Sequence, residues 1–103
     1  MAIDTSTAVK TRTRVEHELK EPSLFKVIYV NDDATTMEFV VESLMTVFGH
    51  SAETSEQITM EIHQQGSSIV AVLPFELAEQ KGLEVTTMAR NQGYPLQIRI
   101  EAD

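Results

Sequence analysis

No cysteine occurs anywhere in the 103 residues, so disulfides and thiolate metal sites are excluded. Tryptophan is also missing, and aromatics make up only 6% of the chain; the expected core is therefore aliphatic. No apolar run approaches the roughly 20 residues that would span a bilayer. The first 20 residues have no apolar signal core, so a cytoplasmic location is the expectation. Several catalytic signatures are missing too: there is no G-x-S-x-G elbow, no P-loop and no dinucleotide-binding glycine pattern. Basic residues are scarce where they would matter for nucleic acid. After residue 22 the chain carries only Lys26, Lys81, Arg90 and Arg99 against twelve acidic residues. Lys10, Arg12, Arg14 and Lys20 cancel Asp4, Glu16, Glu18 and Glu21 before it, so the net charge of −8 resides on the body. Phosphate contacts need clustered Lys and Arg, so nucleic acid is a poor partner for that surface. A cationic ligand or a basic protein surface suits it better, although solubility alone explains the charge equally well.

What is present reads as one small α+β domain behind an arm. Residues 1–22 have almost no large apolar side chains and cannot offset their ordering entropy, which predicts a flexible N-terminal extension closed by Pro22. The domain is expected over residues 23–103. Residues 24–30 are β-branched and aromatic and predict a central strand. Residues 36–48 carry Met37, Val40, Val41, Leu44, Met45 and Phe48, the stripe of an amphipathic helix, with Gly49 as its stop. Thr35 followed by Glu38 matches a capping box at its start. Thr54 with Gln57 repeats that pattern, opening a helix to residue 65 with Ile58, Ile62 and either Thr59 or Met60 inward, closed by Gly66. Residues 67–73 read as a strand. Pro74 suits a first helical position, and the helix runs to 91 with Leu77, Ala78, Val85, Met88 and Ala89 inward. Gly82 in its middle costs about 1 kcal/mol against Ala unless something packs closely there. Residues 96–101 alternate strictly, giving a strand with one dry face. The order β-α-α-β-α-β predicts a three-stranded antiparallel sheet with three helices on one face, a two-layer domain.

The chemistry-bearing stretch is Asn31-Asp32-Asp33, where the first strand runs into the first helix. Carboxylates there sit beside the positive end of a helix dipole, and a turn-and-cap role explains them without any ligand. Of the three histidines, His17 and His50 read as solvated bystanders. His63, one residue after Ile62, reads on periodicity as a partly buried structural residue. These groups supply too few ligands, at no recognised metal spacing, to support a metal-assisted hydrolase. A non-enzymatic binding module with no cofactor is the better class.

Five segments, taken in order, resemble the ClpS adaptor family. They are Lys26-Val27-Ile28-Tyr29-Val30-Asn31-Asp32-Asp33, Met37-Glu38-Phe39-Val40, His63-Gln64-Gln65-Gly66, Ala78-Glu79-Gln80-Lys81 and Pro95-Leu96. The resemblance implies an adaptor that binds substrates bearing a destabilising N-terminal residue (Leu, Phe, Tyr or Trp) and hands them to the N-terminal domain of a ClpA/ClpC-type AAA+ unfoldase. By resemblance, Asn31, Asp33 and His63 accept from the free α-amino group, with Asp32 assisting. Thr35, Met37, Val40, Thr59, Ile62 and Leu96 map to the pocket for the first side chain. Glu76, Glu79 and Lys81 match positions that dock on the unfoldase, and the arm corresponds to the extension engaged during delivery. Monomer is the simple expectation. Three departures stand out: Thr59 replaces a common methionine gate, Thr36 a usual proline and Ala34 a common aromatic. A modulator of the unfoldase with altered or lost N-terminal-residue binding is the alternative that Thr59 keeps open.

Overall fold

A computed structural model describes residues 23–103; the expected arm, with His17 in it, lies outside the described residues. The element order is β1 (Leu24–Val30), α1 (Met37–Thr46), α2 (Ala52–Gln65), β2 (Ser67–Pro74), α3 (Phe75–Asn91) and β3 (Gln97–Ala102). The three strands form one antiparallel sheet in the order β2-β1-β3. The apolar first strand is therefore the central one, as its composition predicts.

The core joins Val27 and Tyr29 of β1 to Val40 and Leu44 of α1, Ile62 of α2, and Ala78, Val85 and Ala89 of α3. These β1 residues alternate, so one sheet face is dry. On the other face Ile69 and Val72 stay exposed. Tyr29 is fully buried, and its hydroxyl needs a partner. Ser43 Oγ donates to the Val40 carbonyl (2.8 Å), so the Tyr29 hydroxyl donates to Ser43 Oγ (2.7 Å). Burial pushes the Tyr29 phenol well above its ordinary pKa, with the Ser43 hydrogen bond opposing the rise.

Helix starts differ from the expected ones. Thr36, not Thr35, caps α1 by accepting from the Phe39 N–H at 3.1 Å. Ser51, not Thr54, caps α2 by accepting from the Thr54 N–H at 3.1 Å. Pro74 stands one place before the first turn of α3. Gly66 ends α2 in a left-handed conformation (φ 93°), as read from the sequence.

Two contacts place the loops. The register of β1 against β2 shifts between Val27 and Ile28, leaving Val70 as the extra residue of a bulge. His50 Nε2 donates to the Val70 carbonyl at 2.7 Å. His50 is thus half-buried and pins the α1–α2 loop to β2, rather than being solvated. At the mid-point of α3, Gly82 lies against β3: a Cβ there would meet Ile100 at 3.4 Å and Ile98 at 3.5 Å.

Candidate functional site

The turn after β1 is built by Asp32. Its Oδ1 accepts from the N–H groups of Ala34 (2.8 Å) and Thr35 (2.7 Å), and its Oδ2 accepts from the Thr35 hydroxyl (2.8 Å). This is an Asx turn closed by a threonine. The turn holds Thr35 against Asp32, one place outside the cap position, and Thr36 accepts from the Phe39 N–H instead. Partial burial resists ionisation of Asp32. The Thr35 N–H and hydroxyl, the Ala34 N–H and the nearby Arg90 guanidinium outweigh it, holding the carboxyl below the usual aspartate range.

With Asp32 spent on the turn, its neighbours face solvent. Asn31 and Asp33 are exposed, and among the described residues their side chains have no hydrogen-bond partner. The Asn31 backbone N–H donates to the Gly66 carbonyl at 2.9 Å. That bond ties the end of β1 to the end of α2 and brings the last turn of α2, which carries His63, beside the Asn31 turn. His63 is exposed rather than partly buried. The Asn31 turn and the end of α2 that carries His63 are thus joined at one end of the sheet, and Asn31, Asp33 and His63 are all exposed there.

The six residues mapped to the side-chain pocket divide by depth. Val40, Ile62 and Leu96 are buried in the core, Thr59 is buried beside them, and Thr35 is half-buried. Met37 is 41% exposed. Met37 and Thr59 line an open cavity of about 300 Å³ together with Val41, Met60 and Glu56. The Thr59 hydroxyl donates to the Ser55 carbonyl at 2.7 Å. Its polar atom is thus satisfied within α2, so the residue adds a small side chain to the cavity without an unpaired hydroxyl. Among the described residues, no group of three or more His, Asp or Glu side chains converges as a metal site.

Known proteins share this fold. Residues 20–99 match the family model described as ATP-dependent Clp protease adaptor protein ClpS. The chain belongs to the ClpS family. An ATP-dependent Clp protease adapter protein ClpS from Campylobacter jejuni subsp. doylei is 40% identical over 95 residues, covering 92% of this chain and 99% of that protein. The one from Desulforapulum autotrophicum is 44% identical over 98 residues, covering 93% and 94%. The solved structure of Agrobacterium tumefaciens ClpS2 bound to L-phenylalaninamide superposes with a TM-score of 0.78 at 37% identity, covering 81% of this chain and all of that one. The ClpS family is thus one of adaptors to a Clp protease.

Every candidate residue lies inside the stretch that matches ClpS. Glu76 and Glu79 are exposed on the first turns of α3. Lys81 is half-buried, and its ammonium donates to the Val47 carbonyl at the end of α1 (2.9 Å). It therefore stabilises a helix terminus, a role that its spacing does not announce. Arg90 escapes sequence reasoning altogether. It donates to the Tyr94 carbonyl (2.8 Å) and the Leu96 carbonyl (2.9 Å), so it holds the loop that delivers Leu96 and adds its charge beside Asp32. No sequence motif marks it, because its partners are backbone atoms four and six residues away. No helix among the described residues is long and apolar enough to cross a membrane.

Proposed function

We propose that this chain captures proteins by a destabilising N-terminal residue and delivers them to a ClpA/ClpC-type unfoldase. Asn31, Asp33 and His63 take the α-amino group, and a pocket floored by Val40, Thr59, Ile62 and Leu96 behind Met37 takes the side chain. The observation that carries this reading is the division of labour in the Asn31-Asp32-Asp33 turn: Asp32 is consumed in building it, which leaves Asn31 and Asp33 open beside His63. A free N-terminus presents three donors on a positive charge, and each charge-assisted hydrogen bond contributes roughly 1.5–3 kcal/mol. Burying a Leu or Phe side chain contributes roughly 1.5–3 kcal/mol more. Less the cost of association, this supports binding at about micromolar or tighter. The L-phenylalaninamide held by the Agrobacterium relative combines a free amine with an aromatic side chain, the same pair of features. Exposed Glu76 and Glu79 form the surface assigned to the unfoldase.

The test is fluorescence anisotropy of peptides that differ only in their first residue: Leu, Phe, Tyr, Trp, Ile, Val, Ala and N-acetyl-Leu. Tight binding of Leu and the aromatics, lost on acetylation, is expected. Flat, weak binding across the set would leave unfoldase modulation as the surviving function.

A further inference from the structure

The loop between α3 and β3 is short and tied down from several sides. Arg90, in the last turn of α3, sends one guanidinium nitrogen to two carbonyls, those of Tyr94 (2.8 Å) and Leu96 (2.9 Å). The Tyr94 backbone N–H donates to the Ala89 carbonyl at 2.9 Å, so both backbone polar groups of Tyr94 are engaged. Its ring meets Phe39, in the first turn of α1, edge-on with centroids 5.3 Å apart. The hydroxyl of Thr36, the cap of α1, donates to the Tyr94 hydroxyl at 3.4 Å.

These ties converge beside the candidate site. Gln97 pairs with Val30 across β3 and β1, so Leu96 enters the sheet level with Asn31, where the turn begins. A last-turn arginine often satisfies the carbonyls of its own helix end. The carbonyls bound by Arg90 instead lie beyond the end of α3 at Asn91. The same guanidinium places its charge near Asp32, the residue that builds the turn. One side chain thus acts on both halves of the site: on Leu96 through a charge-assisted hydrogen bond, and on the turn through its charge. Tyr94 closes the arrangement from the other side, against the start of α1.

We propose that Arg90 and Tyr94 are positioning residues for first-residue capture: they clamp the α3–β3 loop onto the start of α1, so that Leu96 and the Asn31-Asp32-Asp33 turn keep one fixed separation. This rests on the proposed capture of N-terminal residues. The ammonium group and the side chain of a first residue leave the same Cα atom, so the ligand itself has a fixed reach. A site matched to both parts binds well only if its own two parts stay in place before the ligand arrives. Arg90 and Tyr94 act through Leu96 and the turn rather than on the ligand. Glu76 and Glu79 lie in the opposite turns of α3, so the clamp and the surface assigned to the unfoldase occupy different ends of that helix.

The experiment measures binding of the peptide Leu-Ser-Ser-Ser-Ser to the full chain and its variants, each held well below its own thermal midpoint. Arg90→Met keeps the apolar stem and loses the donors; it is expected to weaken binding by about tenfold or more. Arg90→Lys should restore affinity to within about threefold, because an ammonium can also donate to both carbonyls. Tyr94→Ala should weaken binding to a similar extent. In the Arg90→Met, Tyr94→Ala double variant the loss should be no larger than in the worse single variant, since both substitutions open one clamp. Native affinity in the folded Arg90→Met and Tyr94→Ala variants overturns the clamp and leaves first-residue capture standing. An Arg90→Lys variant as weak as Arg90→Met, or losses that add in the double variant, also overturns it. Should Arg90→Met fail to fold, Tyr94→Ala decides alone, and native affinity there overturns the proposal. A native chain that does not bind the peptide overturns first-residue capture, and the clamp with it.

Discussion

The two carboxylates of the β1–α1 turn differ in what their oxygens touch. Asp32 accepts from two backbone N–H groups and a hydroxyl, while Asp33 accepts from nothing among the described residues. Their alanine variants should therefore fail in different ways. Asp33→Ala is expected to abolish peptide binding with the thermal midpoint nearly unchanged. Asp32→Ala should lower the midpoint, since each lost hydrogen bond costs about 0.5–1.5 kcal/mol. The pH dependence follows from the direction of the Asp32 shift. Its pKa is lower in the folded chain than in the unfolded one, so acid protonates the unfolded chain first and pulls the equilibrium toward it. The stability Asp32 provides is present above the ordinary aspartate value of about 3.9 and is lost as pH falls through the folded value. Thermal melts from about pH 6 to about pH 2.5 should thus show a shallower acid decline for Asp32→Ala than for the native chain. Thr59 makes a second case at this scale. Because its hydroxyl is tied to the Ser55 carbonyl, Thr59→Met adds bulk to the cavity without stranding a polar atom. Binding of Ile- and Val-first peptides should drop relative to Leu; unchanged ratios would mean that position 59 is not a gate.

Among the elements, α1 explains what the sequence could and could not reveal. Its type follows from periodicity, as do those of α2 and β3, because alternation and helical spacing are local properties; its end does not, since the helix stops at Thr46, before the Phe48 that the stripe includes. Val40, Leu44 and Phe48 share one broad apolar stripe with Met37, Val41 and Met45, and spacing alone cannot say which edge of it faces the sheet. Docking settles that: the edge with Met37 and Met45 stays exposed. Capping is ambiguous in the sequence for a related reason. Thr35 lies within the Asp32 turn and Thr36 at the cap, a difference that pattern alone does not show. The candidate residues on the turn and His63 come from family resemblance; the roles of His50 and Arg90 are not legible in the sequence, since each binds a carbonyl that only the fold presents. Gly82 offers a test at this scale. Its missing Cβ would sit 3.4–3.5 Å from Ile100 and Ile98, at ordinary contact distance. Gly82→Ala should therefore recover most of the roughly 1 kcal/mol of helix propensity and raise the midpoint by about 4–8 °C per kcal/mol. A fall would mean that β3 cannot yield by a few tenths of an ångström.

Across the whole molecule, the acidic body has little cation left over to neutralise it. Of its four basic residues, Lys81 binds the Val47 carbonyl, Arg90 holds the α3–β3 loop, and Arg99 lies 3.2 Å from Glu101 on the sheet surface. The uncompensated charge falls on α1, α2 and the outer side of α3, where Glu76 and Glu79 are exposed. Substrate capture and unfoldase docking are thus assigned to different elements, and the two functions should separate by mutation. Reversing charge in a Glu76→Lys, Glu79→Lys double variant is expected to weaken binding to the isolated N-terminal domain of a ClpA/ClpC-type unfoldase by about tenfold or more. Leu-first peptide affinity should stay within about twofold of the native value, because neither glutamate lines the cavity beside Met37 and Thr59. Lys81→Ala is a less clean probe: it also strips the α1 terminus of its donor, at about 1 kcal/mol of stability. If the charge-reversed chain loses peptide binding and docking together while remaining folded, α3 is coupled to the pocket, and the two-face arrangement is wrong. If docking survives the reversal, the unfoldase grips another surface, and Leu83 and Phe75, both exposed on α3, are the next positions to change.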